Sequence, residues 1–150
     1  MTVGSSRQQE AVPNSAGTDL PKLEAPPGAC DCHMHIYDAA RFPPARPGSR
    51  MQANASVEDY RRLQKRIGTR RTVIVQPAAY GTDNRVTLDA IARLGNARGV
   101  AVVHPDVSDT ELKTLHEGGV RGIRFTVFDP ATAVTKIEMI EPLSRRMADI

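Results

Sequence analysis

Two imidazoles two positions apart, His33 and His35, are the residues of this chain best placed to do chemistry. Side chains at i and i+2 on an extended strand project from one face. That is the geometry a shared metal ion or a shared carboxylate group needs. Asp31 lies two positions earlier, on the same expected face, and is suited to orienting an imidazole. The chain has four histidines in all, and half of them sit in this one tripeptide, which favours function over chance. Other polar residues fall at the ends of apolar runs: Gln76 before Pro77, His104 before Pro105, and Arg124 within Gly122–Thr126. Each has a structural alternative. Gln76 could satisfy loop backbone, His104 could be a surface residue, and Arg124 could pair with Asp129. Cys30 and Cys32 have no partners at zinc-finger spacing and read as reduced packing residues.

The elements that must carry these residues follow from periodicity. Ala29–Ile36 reads as a strand with Cys32, Met34 and Ile36 on one face and Asp31, His33 and His35 on the other. After a proline-rich loop, Ser56 and Asp59 form an approximate capping box. The helix behind it places Val57, Tyr60, Leu63 and Ile67 on one face and stops at Gly68. Thr72–Gln76 is a second strand. A helix from Asp83 or Asn84 carries Leu88, Ile91 and Leu94 to Gly95. Val100–His104 is a third strand, and Ser108 with Glu111 caps a helix bearing Leu112 and Leu115. Val120–Val127 is the fourth strand. A last helix starts near Pro142, a first-turn residue, and Thr135 with Glu138 caps a short turn before it. Four strand–helix units imply parallel pairing with right-handed crossovers. Half of an eight-fold barrel and a small doubly wound sheet both satisfy this. In each, polar residues at the carboxyl ends of strands are where active sites form.

Composition sets the outer limits. The chain has 150 residues, of which 40% are apolar and 25% charged, with a net charge of +3. Those values exclude whole-chain disorder, a coiled coil and a collagen-like chain. No apolar run approaches the ~20 residues of a membrane span, and the start lacks the pattern of a secretory signal. The expectation is a cytoplasmic protein without a membrane partner. Arg61, Arg62, Lys65, Arg66, Arg70 and Arg71 form the densest basic patch. With three Tyr, three Phe and no Trp, a base-stacking platform is hard to build, so nucleic acid is not an expected partner. Residues 1–28 read as a disordered tail, and residues 29–150 as the folded unit.

The stretch Asp31-Cys32-His33-Met34-His35-Ile36-Tyr37-Asp38, followed by Phe42-Pro43, resembles the first strand of the amidohydrolase superfamily. More narrowly, it is similar to the amidohydrolase-related (amidohydrolase 2) group, which includes 2-pyrone-4,6-dicarboxylate lactonase and D-galactarolactone isomerase. Val75-Gln76-Pro77 with Tyr80–Arg85 is similar to that group's second strand and loop, and Gly119–Phe125 to its fourth strand. The resemblance implies a (β/α)8 (TIM) barrel of which this chain is the N-terminal (βα)4 half, a truncated fragment inactive by itself. It implies hydrolysis or isomerisation of a carboxylated or sugar-acid lactone, with His33 and His35 as the catalytic imidazoles acting as donors. Arg124 would then hold a substrate carboxylate by a forked pair of hydrogen bonds. Gln76, Tyr80 and His104 would complete the substrate pocket. Phe128-Asp129-Pro130 stands where the dicarboxylate lactonase has a second Arg, which leans toward a sugar-acid lactone. The lactone-acting branch implies no cofactor. The alternative is a metal-dependent amidohydrolase or decarboxylase, with His33 and His35 holding a divalent ion such as zinc. A third reading is a non-catalytic half-barrel that self-associates through its open sheet edges.

Overall fold

The computed structural model of the chain describes residues 19–53, 55–126 and 133–150. Most of the expected tail, residues 1–18, lies outside the described residues, and residues 19–28 form no helix or strand. Four strands form one sheet in the order β1-β2-β3-β4, every pairing parallel: β1 Cys30–Met34, β2 Arg71–Val75, β3 Ala97–Ala101 and β4 Val120–Ile123. The helices are α1 Val57–Ile67, α2 Arg85–Leu94, α3 Asp109–Glu117 and α4 Ile140–Ala148. The α/β reading, with a helix after each strand, is therefore what the chain forms.

The caps explain where the helices begin. Ser56 Oγ accepts from Asp59 N at 3.2 Å, and Asp59 Oδ2 accepts from Ser56 N at 3.0 Å. That pair satisfies donors the first turn of α1 would otherwise leave open. Ser108 Oγ accepts from Glu111 N at 3.1 Å and starts α3 in the same way. α1 ends at Gly68, whose φ of 77° is left-handed and free of Cβ strain. α4 begins at Ile140, which places Pro142 in its first turn as expected, and it continues a short 3-10 turn at Ile137–Met139. Thr135 does not cap that turn. It is buried, and its Oγ1 donates to Arg124 O at 3.3 Å.

The core lies between the sheet and its helices. Ile36, Val57, Ile74, Tyr80, Val86, Ala90 and Val103 are at most 2% exposed, each large aliphatic among them contributing about 1.5–3 kcal/mol by leaving water. β3 starts three residues earlier than apolar run-length suggests. Its Ala97, Gly99 and Ala101 alternate toward α2 and are buried. A Cβ on Gly99 would lie 2.8 Å from Ile91 Cδ1 and 3.1 Å from Thr87 Cγ2, so glycine lets α2 sit directly on the strand. A polar or small residue read by eye as loop is strand here because of what packs on it.

β1 departs from simple alternation. Cys30 pairs with Arg71 and Asp31 with Thr72, but the next partners are Met34 and Ile74, so one extra residue is taken up between Asp31 and Met34. Such a bulge resets which residues share a face. Met34 and Ile36 turn to the helices, while Cys32 and His33 are exposed. Asp31 also turns to the helix side, where its Oδ2 accepts from Tyr60 OH at 3.0 Å.

Candidate active site

The bulge delivers the two imidazoles together. The rings of His33 and His35 stand edge to face with centroids 5.1 Å apart. His33 is exposed, and its ring nitrogens bond no other group among the described residues. His35 is half-buried and reaches across to β2, with Nδ1 2.7 Å from Val75 O. A carbonyl oxygen only accepts, so Nδ1 carries the proton and Nε2 is the lone-pair nitrogen of the neutral ring. Burial lowers the His35 pKa below its ordinary value. The Val75 bond opposes that shift, while His33 and Arg124 add to it. His35 is thus neutral at pH 7 and offers an acceptor, not the donor expected of it.

Asp31 orients neither ring. Its Oδ1 accepts from His33 N at 3.2 Å, and its other oxygen is taken by Tyr60, because the bulge moved it off the imidazole face. Arg124 follows β4 and is on the imidazole side of the sheet. Its backbone N donates to Ala101 O at 2.7 Å, and Nη1 donates to Gln76 O at 3.1 Å. Asp129, its sequence-level pairing candidate, lies outside the described residues, as do Phe128 and Pro130.

The other expected pocket residues are placed differently. Gln76 is 0% exposed. Its Nε2 donates to Asp83 O at 2.8 Å and Gly81 O at 3.2 Å, and its Oε1 accepts from Thr87 Oγ1 at 2.6 Å. It shares the helix-facing parity of Thr72 and Ile74, so it braces the loop after β2 from beneath. Tyr80 is also 0% exposed, and its hydroxyl accepts from Asp38 N at 2.8 Å. In this chain neither side chain reaches a ligand from solvent. His104 is exposed beyond β3, where its Nδ1 accepts from Asp106 N at 3.3 Å.

A cavity of about 380 Å³ opens beyond the carboxyl ends of the strands. Its walls include Tyr37, Arg46, Arg50, Gln52, Val102 and Thr126. His33, His35 and Arg124 do not line it. It adjoins them through Tyr37, whose ring centroid is 6.3 Å from that of His35, and through Thr126, two residues past Arg124. Burial raises the Tyr37 pKa, against the pull of the Arg124 and Arg50 charges, so the phenol stays protonated. Sequence reasoning missed Arg46 and Arg50. The signal available was two arginines in the proline- and glycine-rich loop directly after the His33–His35 strand.

Paired imidazoles leave the first strand of a parallel sheet, and a guanidinium leaves the fourth, at the face where such folds work. The family model described as amidohydrolase matches residues 30–136. The chain belongs to the amidohydrolase family.

Its relatives act on lactones. The chain is 34% identical over 137 residues to a 2-pyrone-4,6-dicarboxylate hydrolase of Comamonas testosteroni, covering 90% of this chain and 45% of that one. It is 39% identical over 107 residues to a 4-sulfomuconolactone hydrolase of Rhizobium radiobacter, covering 70% and 36%. It is 34% identical over 119 residues to a D-galactarolactone isomerase of Agrobacterium fabrum, covering 77% and 40%. A crystal structure of an Agrobacterium tumefaciens protein superposes with a TM-score of 0.76 at 28% identity, covering 90% of this chain and 47% of that one. The chain thus spans about half the length, or less, of the proteins it matches. Its four strand–helix units correspond to half of an amidohydrolase barrel, which decides between the two architectures in favour of the barrel.

The alternative of a divalent metal can be weighed on the donors. Among the described residues no three His, Cys, Asp or Glu side chains converge on one point. Two imidazoles, one tied through Nδ1 to Val75, are fewer donors than the three or four a zinc site uses. The donor set on these four strands does not by itself fit a metal ion, and no catalytic step is assigned to one.

Proposed function

We propose that this chain supplies the first-strand and fourth-strand half of a lactone-acting active site, for hydrolysis or isomerisation of a small carboxylated lactone. The observation that carries the reading is the unlike state of the two neighbouring imidazoles. Ring opening of a lactone needs polarisation of the carbonyl and a place for a proton. His33, exposed and with ring nitrogens that bond no group among the described residues, is suited to donating its ring N–H to the carbonyl oxygen. His35, held neutral with its lone pair on Nε2, is suited to accepting a proton from the attacking or rearranging hydroxyl. Arg124 would hold a carboxylate of the substrate. The relatives' activity on lactones and the amidohydrolase fold support this assignment.

The test is an NMR titration of the 150-residue chain with 2-pyrone-4,6-dicarboxylate and with galactarolactone, each with a turnover assay alongside. Saturable shifts of the His33 and His35 ring protons, weakened about tenfold in Arg124→Gln, are the expected result. The same shifts without dependence on Arg124, or no shifts with either lactone, would sink the reading. No turnover is expected from this chain alone, because its four strands correspond to about half of the lactone-acting relative, and a barrel site is assembled from the ends of all its strands.

A further inference from the structure

The two imidazoles are held by different means. The His35 ring is fixed directly, through Nδ1 and Val75 O. The ring nitrogens of His33 bond no group among the described residues, so the place of that ring is set by its own backbone. That backbone is irregular. From Asp31 to Met34 the first strand advances three residues while its neighbour, from Thr72 to Ile74, advances two. The extra residue of a bulge is left without a ladder partner, and something other than the ladder must hold it.

Two side-chain bonds that meet on one carboxylate do so. Asp31 Oδ1 accepts from His33 N at 3.2 Å, and Asp31 Oδ2 accepts from Tyr60 OH at 3.0 Å. Tyr60 is 4% exposed and lies in the first turn of α1, where its N donates to Ser56 O at 3.0 Å. The capping box of Ser56 and Asp59 fixes that turn. Burial raises the Tyr60 pKa well above its ordinary value, so the phenol keeps its proton and is the donor of the pair. Bonds to an ionised carboxylate are roughly twice as strong as neutral ones. A chain of contacts thus runs from the cap of α1, through Tyr60 and Asp31, to the amide of His33. Neither Asp31 nor Tyr60 lines the cavity, so what they do for the site they do through His33.

We propose that Asp31 and Tyr60 are positioning residues for His33, fixing the bulge of β1 in the form that stands the His33 ring edge to face with that of His35. The functional consequence rests on the lactone reading, in which His33 donates to the carbonyl oxygen while His35 takes a proton. Two groups that must act on neighbouring atoms tolerate little displacement, and His33 has no bond of its own to restore its place.

The experiment follows three variants of the 150-residue chain by NMR. Tyr60→Phe keeps the packed ring and removes the donor. Asp31→Ala removes both bonds. Asp31→Asn keeps both, because its Oδ1 accepts from His33 N and its Nδ2 donates to the Tyr60 hydroxyl, which can also accept. The readouts are the through-space contact between the His33 and His35 ring protons, the slow exchange of the His35 Nδ1 proton, and titration with 2-pyrone-4,6-dicarboxylate and with galactarolactone. Tyr60→Phe and Asp31→Ala should lose the ring contact and weaken lactone binding about tenfold, while the His35 Nδ1 proton stays protected. Asp31→Asn should restore contact and affinity to near the parent values. A ring contact unchanged in Tyr60→Phe and Asp31→Ala overturns the proposal. So does loss of the His35 protection together with the contact, which would mark a purely structural role. A ring contact that depends on Asp31 and Tyr60 in a chain that binds neither lactone would sink the lactone reading and leave the positioning role standing.

Discussion

His35 is the residue whose state matters most. Its folded pKa lies below the unfolded value of 6.5, chiefly through burial. The sign follows from linkage. Above 6.5 both folded and unfolded chains hold it neutral, and it makes no pH-dependent contribution. Below 6.5 the unfolded chain takes up a proton that the folded chain resists, so stability falls with pH until the folded pKa is passed. Urea unfolding at pH 7.5 and at pH 5 should show this loss, and the His35→Asn chain should show less of it. Asparagine also separates the two ring nitrogens. Its amide nitrogen reproduces the Nδ1 donor to Val75 O but has nothing at Nε2. We expect His35→Asn to melt near the parent temperature while losing lactone binding, and His35→Ala to lose about 1 kcal/mol as well. Equal lactone binding by parent and His35→Asn would contradict the proton-acceptor role.

At the scale of elements, the loop after β2 and the seat of α2 on β3 are the places where small changes should be felt. Gln76→Leu keeps the volume but leaves Thr87 Oγ1 and the carbonyls of Gly81 and Asp83 without their partner. A destabilisation of about 3 kcal/mol is expected, read as a shift in the denaturation midpoint. A silent Gln76→Leu would mean the side chain is not bracing the loop. Gly99→Val forces side-chain atoms into Ile91 and Thr87 and should destabilise the chain by about 2–3 kcal/mol. The helix starts and stops of α1 and α3 were legible in sequence because capping is local chemistry. The start of β3 was not, since Ala97 and Gly99 become strand residues only when α2 packs over them. The face of Gln76 was open for the same reason, as alternation gives parity but not which side is covered.

For the molecule as a whole, β1 and β4 are the outer strands of the sheet, and among the described residues no strand pairs beyond them. Rows of open N–H and C=O groups on parallel edges invite another strand. In a closed barrel of twice this length those edges would be joined through further strands. Light scattering on the 150-residue chain is therefore expected to report a dimer or larger species at micromolar concentration. A well-folded monomer across that range would show that the edges are protected without a partner. Among the described residues no helix is long and apolar enough to cross a membrane.

What the sequence determined by itself was the order and kind of elements, the pairing of His33 with His35, and the amidohydrolase resemblance. These rest on local periodicity, caps and a contiguous motif, all of which are short-range along the chain. Tertiary structure alone decided the roles. A one-residue bulge in β1 gave Asp31 to Tyr60 instead of to an imidazole, and Val75, forty residues from His35, set which nitrogen of that ring is protonated. Packing buried Gln76 and Tyr80, and the loop after β1 carried Arg46 and Arg50 to the cavity wall. Each of these depends on contacts between distant segments, and the free energy of such contacts is not encoded in any window of neighbouring residues.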